Sequence, residues 1–218
     1  MTGGFPGNTA PPHATHHAAN SAIARRPRLA VFISGGGRSL LNLHDAIELG
    51  DLRATIALVV ASRPCAGVEK ARARGLEVVI EPPSTDPARL DELLLRHRID
   101  WLVLAGYLHL LAIPPRFAGK AVNIHPALLP DFGGKGMYGL RVHEAVLRSG
   151  ATRSGCTVHL CDAQYDRGPI VLQLTCPVLP GDTPHTLADR VFMQERRAYP
   201  LALQKLLAQE SPPRERVP

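Results

Sequence analysis

No stretch of this chain approaches the roughly 18 uninterrupted apolar residues of a membrane-spanning helix, so a soluble protein with no membrane partner is expected. The first 28 residues contain no acid and no continuous apolar run. They lack the core of a secretory signal, and Arg25, Arg26 and Arg28 give only a vague likeness to a transit peptide. Cysteine is scarce, and Cys65, Cys156, Cys161 and Cys176 form no CxxC pair. The five-residue step from Cys156 to Cys161 sets these two on opposite faces of a strand, which argues against a metal or disulfide shared between them. Reduced, structural thiols in a cytoplasmic protein are expected. There are no internal repeats, and no serine or cysteine sits in an evident nucleophile motif. The formal charge is +6, yet beyond residue 28 there are 22 basic and 19 acidic residues. That body is too near balance to favour nucleic acid as a partner.

What is present suffices for one folded unit. With 218 residues and 45% hydrophobic content, the chain can bury a core as a single domain with tails. Residues 1–27, rich in Gly, Pro, Ala, Asn and Thr, read as a disordered tail in which His13, His16 and His17 are passive. Residues 28–208 form the expected domain, and 209–218 a frayed end.

From Arg28 onward two kinds of segment alternate. RLAVFIS (28–34), ATIALVVAS (54–62), LEVVIE, DWLVLAG and KAVNIH are short apolar runs of the kind buried on both faces of a parallel sheet. Between them lie helical patterns: SLLNLHDAIELG stopping at Gly50, GVEKARARG stopping at Gly75, and PARLDELLLRHR with Asp86 as N-cap and Pro87 at the first position. VHEAVLRSG is a later helix. SGCTVHLCD and GPIVLQLTCPV, joined by AQYDR, suit an antiparallel hairpin. A last helix starts at Thr183-Pro184 and runs past Glu195, and Pro200 is expected to kink or interrupt it. The order implies an α/β fold: an open, mostly parallel, Rossmann-like sheet with helices on both faces and an antiparallel hairpin near the C-terminus.

In such sheets ligands bind at the carboxyl ends of the strands. Asn123 and His125 close one strand, and their spacing of two turns both side chains to one face while Ile124 points away. GGGRS after the first strand and the loop bearing Asp166 belong to the same edge. An amide, an imidazole and a carboxylate converging there suit acyl transfer to an amine, in which donors face a developing oxyanion and protons need a route. Taken singly, an Asn-x-His at a strand end or a DxG is a common turn arrangement.

Together, ISGGGRSL, LAGYLHLL, NIHPALLP, DRGPIVLQ and QERRAYP resemble the ordered motifs of the phosphoribosylglycinamide formyltransferase family, folate-dependent enzymes of purine synthesis. The resemblance runs from about Arg28 to about Leu207. It implies transfer of the formyl group of 10-formyltetrahydrofolate, a co-substrate, to the amine of glycinamide ribonucleotide, with no metal. It assigns catalysis to Asn123, His125 and Asp166, with His159 in support. It assigns the substrate phosphate to Gly37, Arg38 and Ser39, and the amine end of that substrate to Glu195. A salt bridge from Glu195 to Arg190 or Arg196 is the structural alternative. The folate pocket falls on Leu108, His109, Leu110 and Leu111 and on Asp162, Ala163, Gln164 and Tyr165.

Several positions depart from the family pattern. Arg38-Ser39 replaces Ser-Asn, His109 replaces an arginine, Phe192 replaces a polar residue, and a second family arginine falls near Pro87 or Arg89. FGGKGMYG (132–139) is a longer, glycine-rich loop suited to a lid. Two other readings therefore stand: formyl transfer to another amine, methionyl-tRNA included, and a non-catalytic folate-binding module.

Overall fold

The computed structural model describes residues 1–2 and 25–209. The tail expected over 1–27 lies outside the described residues from 3 to 24, as does the C-terminal one from 210. Arg25 already reaches the domain, its Nη2 lying 2.8 Å from Asp100 Oδ1.

The chain runs β1 (Arg28–Ile33), α1 (Arg38–Glu48), β2 (Thr55–Ala61), α2 (Ala66–Ala73), β3 (Val78–Ile80), α3 (Pro87–Arg96), β4 (Trp101–Leu104), β5 (Ala121–His125), α4 (Leu140–Arg148), β6 (Arg153–Leu160), β7 (Ile170–Pro177) and α5 (Pro184–Gln209). Seven strands form one sheet in the order β3-β2-β1-β4-β5-β6-β7. β1 to β5 pair in parallel, and β6 and β7 add on antiparallel. The chain reverses its direction of winding between β1 and β4, which opens a crevice beyond their carboxyl ends.

Strand alternation divides the core. Leu29, Val31 and Ile33 of β1 pack with α1, α2, α4 and α5 on one face, while Ala30 and Phe32 pack with α3 on the other. Cys156 belongs to the first cluster, and Cys161 packs against the second. All four cysteines are free. Asp86 caps α3 by accepting a hydrogen bond from the Ala88 N–H at 2.9 Å, ahead of Pro87.

Of the two expected effects of Pro200, the interruption does not occur: α5 is one helix with Pro200 inside it. Proline has no N–H for the carbonyl four residues earlier. That carbonyl, on Arg196, instead accepts a hydrogen bond from Asn42 Nδ2 of α1 at 3.2 Å. The neighbouring helix supplies the missing donor and the turn holds.

Among the described residues, no helix is long and apolar enough to cross a membrane.

Candidate active site

A cavity of about 430 Å³ opens at the carboxyl ends of β4 and β5. Its walls are the segment after β4, the end of β5, the 134–139 loop and the β6–β7 loop.

Register brings the polar groups together. In the antiparallel β5–β6 pair, Asn123 lies opposite His159 and His125 opposite Thr157, so all four side chains share one face. Asn123 Nδ2 is 3.1 Å from His159 Nε2. His159 Nδ1 is 2.9 Å from the Leu160 carbonyl, and a carbonyl only accepts. Nδ1 therefore donates to that carbonyl, and Nε2 sits between the Asn123 amide and the Asp166 carboxylate. The pairing of β6 with β7 shifts register at Val158/His159, an irregularity of a kind common beside active sites.

Asp166 enters from the β6–β7 loop in the left-handed region, φ 55°. Two residues on, the backbone turns back so closely that a Cβ on Gly168 would stand 1.9 Å from the Leu160 carbonyl oxygen; only glycine fits. Asp166 Oδ2 accepts a hydrogen bond from the Gly134 N–H at 2.8 Å and lies 3.5 Å from His125 Nδ1. Its Oδ1 lies 3.5 Å from His159 Nε2. Burial works to raise the Asp166 pKa, but His159, His125 and the Gly134 N–H outweigh it and hold the carboxyl below its ordinary range.

His125 is buried, and its Nε2 donates to the Phe132 carbonyl at 2.8 Å. With Nε2 committed as a donor, the proton that comes and goes is on Nδ1, the atom facing Asp166. Burial lowers the pKa of His125, while Asp166 and the Phe132 carbonyl pull it back upward and His159 lowers it further. An imidazole whose free nitrogen faces a carboxylate can donate to an oxyanion or pass a proton.

Other expected residues fall around this centre. Leu108, His109, Leu110 and Leu111 form one wall, and Asp162, Gln164 and Tyr165 the facing one; Ala163 is not among the lining residues. The two walls are joined where Leu110 N–H donates to the Tyr165 hydroxyl at 2.9 Å. The Leu108 N–H donates to Ser34 Oγ at 3.1 Å, and Ser34 in turn bonds Ser62 at 2.8 Å. His109 stacks edge-on to Tyr107 at 5.6 Å. Arg89 is engaged elsewhere, 3.0 Å from Glu81.

Ser39 and Glu195 line the cavity, whereas Gly37 and Arg38 do not. Gly37 starts α1 at φ 72°, and a Cβ there would stand 2.9 Å from Gly67 Cα of α2. Glu195 is half-buried; desolvation pushes its pKa up to about 7, and the Arg38 charge works against that rise. Among the described residues, no salt bridge joins Glu195 to Arg190 or Arg196, and Arg190 is taken by Asp182.

Some working parts carry no side-chain signature. Phe132 and Gly134 act through backbone C=O and N–H, so their sequence offers nothing to find. Thr157 and Gln173 were legible in principle, since Thr157 stands two residues before His159 on the same face. Thr157 Oγ1 donates to the Ala127 carbonyl at 2.7 Å and accepts from Leu129 N–H at 3.0 Å and from Gln173 Nε2 at 2.9 Å, so it shapes the turn that follows His125.

A family model described as formyl transferase matches residues 27–203. The chain belongs to the formyl transferase family. A phosphoribosylglycinamide formyltransferase named as chloroplastic from Vigna unguiculata is 40% identical over 88% of this chain and 64% of its own length. Its counterpart from Arabidopsis thaliana is 42% identical over 80% of the chain and 63% of its own length. The chain thus spans a little under two-thirds of these plant relatives. Among solved structures, glycinamide ribonucleotide transformylase 1 from Symbiobacterium toebii superposes with a TM-score of 0.77 at 33% identity, over 88% of this chain and 92% of that one. The sheet order of this family member, with its mostly parallel strands and antiparallel C-terminal pair, is the expected fold class.

Proposed function

We propose that the chain transfers the formyl group of 10-formyltetrahydrofolate to the primary amine of glycinamide ribonucleotide, as the names of its relatives suggest. The observation that carries this reading is the meeting of Asn123, His125 and Asp166 at one cavity, with Asp166 Oδ2 3.5 Å from His125 Nδ1. The amine nitrogen attacks the formyl carbon directly. The carbonyl oxygen becomes anionic and is held by Asn123 Nδ2 and His125 Nδ1–H. Asp166 supports the charged ring and takes up the proton of the attacking amine, which returns to N10 as the C–N10 bond breaks and tetrahydrofolate leaves. No metal enters this scheme.

The cavity volume lies within the range of small-ligand sites, and its leucine and tyrosine walls suit a flat heterocycle. We assign the folate to Leu108–Leu111 and the 162–165 loop, the acceptor amine to Glu195, and the acceptor phosphate to Gly37, Arg38 and Ser39, with His159 supporting Asn123 and Asp166. The loop 132–139 is a wall tied to both His125 and Asp166 through its backbone. We place the reaction in the cytoplasm, where four free thiols stay reduced.

The test is formyl transfer to a panel of amines, including glycinamide ribonucleotide and methionyl-tRNA, followed by the absorbance of the folate product. Turnover of glycinamide ribonucleotide is expected. His125→Ala should lower kcat by about 100-fold or more, with folate affinity changed only a few-fold. A wild-type protein that binds the folate and formylates no amine is a binding module, and the proposal fails.

A further inference from the structure

Arg38 of α1 and Phe192 of α5 are in contact. The Arg38 guanidinium carbon lies 3.8 Å from the centroid of the Phe192 ring. Its Nη2 lies 3.3 Å from Asp189 Oδ1. Asp189, Phe192 and Glu195 recur at three-residue steps, a single stripe along α5. Arg38 therefore lies over one end of a stripe whose other end, Glu195, lines the cavity together with Ser39, the residue following Arg38.

Fold stability does not account for this arginine. It occupies the first position of α1, where the helix dipole disfavours a cation. Its ion pair is a single contact between side chains that are 54% and 75% exposed, and such pairs contribute little. Stacking on Phe192 occupies the flat face of the guanidinium and leaves its in-plane N–H groups available. Asp189 occupies one of them at the long end of hydrogen-bonding distance; a phosphate could accept two at once, with charge assistance.

We propose that Phe192 is a platform that aims Arg38 at the mouth of the cavity, and that Asp189 is an internal counter-ion which the phosphate of the acceptor substrate displaces. This rests on the phosphate reading above and deepens it. The acceptor's affinity is set by a competition within the protein. Phe192 stays in place as Arg38 changes partner from carboxylate to phosphate. Phe192 and Asp189 are positioning residues and take no part in the chemical step.

The experiment measures KM for glycinamide ribonucleotide and KM for the folate separately, in variants shown to be folded by circular dichroism. Asp189→Asn should lower KM for glycinamide ribonucleotide about two- to fivefold, the range an exposed ion pair can supply, with kcat and the folate KM within twofold of wild type. Phe192→Leu, which keeps the bulk and removes the ring, should raise it by a similar factor. Arg38→Ala should raise it about tenfold and cancel the effect of Asp189→Asn in the double variant. Calorimetric titration with ribose 5-phosphate and with inorganic phosphate should give the same order of affinities without turnover. If wild type formylates no glycinamide ribonucleotide but the phosphate titrations keep this order, the functional reading fails and the Arg38 inference stands. An unchanged or weakened phosphate affinity in Asp189→Asn, an equal gain in the Arg38→Ala background, or no phosphate binding at all overturns it.

Discussion

Glu195 shows how one side chain can be read at the level of charge. Its folded pKa stands at about 7, against an ordinary value of 4.5, because a half-buried carboxylate has lost water that the Arg38 charge only partly replaces. Between those two values the folded state binds more protons than the unfolded chain, so stability falls as pH rises through that window and levels off above it. With discount for partial exposure, the loss is about 1–3 kcal/mol. Glu195→Gln keeps the shape and removes the titration. Urea unfolding from pH 4.5 to 8 should find wild type losing stability relative to this variant as pH rises, and a pH-independent difference would refute the assignment. The strain of burying an acid beside the cavity is what a bound ammonium or amine would relieve. At this same scale, the spacing of Asn123 and His125 was enough to put them on one face. The contact of Asn123 with His159 was not legible, because it depends on a β5–β6 register that nothing local specifies.

Elements were legible where periodicity and punctuation agreed. Asp86-Pro87 at the start of α3, and the glycines at 50 and 75 after α1 and α2, mark ends that the backbone confirms with a capping bond and positive φ values. Pro200 is the instructive exception, since the local rule is right about the lost hydrogen bond while the helix is not interrupted there. The rule could not see Asn42, which is 154 positions away from its acceptor Arg196 and delivers the replacement donor across the α1–α5 contact. Asn42→Ala should leave the Arg196 carbonyl without that donor at an exposed site, costing about 1 kcal/mol. In a domain of this size that is a fall of about 2–4 °C in Tm by calorimetry. An unchanged Tm would mean that water replaces the amide fully. The Arg38–Phe192 contact spans the same pair of helices one turn away, so neighbouring turns of α1 and α5 are joined by two contacts.

At the scale of the whole molecule, the cavity is assembled from two halves of the chain that need each other. The parallel half supplies β4, β5 and the 106–111 wall; the C-terminal part supplies the hairpin with Asp166 and the helix with Glu195. Tyr199 ties them. Fully enclosed on α5, its hydroxyl lies 2.8 Å from the Leu104 carbonyl and 3.1 Å from the Val122 carbonyl, so one proton is shared between adjacent strands. Leu104 leads directly into the 106–111 wall, Val122 directly precedes Asn123, and Glu195 stands one helical turn before Tyr199. A pairing of this kind is invisible in sequence, where Tyr199 belongs to the QERRAYP motif but nothing names its acceptors. It follows once α5 is laid across the sheet and a buried hydroxyl must find acceptors. Tyr199→Phe keeps the ring and removes the bond, at a cost of about 1–2 kcal/mol, or a Tm lower by about 2–8 °C. Because the two halves share one continuous core on the α5 face of the sheet, the variant should still unfold in a single transition, with fluorescence of the sole tryptophan, Trp101 on β4, and far-ultraviolet dichroism coinciding. Separate transitions by the two probes would show that Tyr199 couples otherwise independent units, and the view of one cooperative body organised around the β4–β5 crevice would have to be given up.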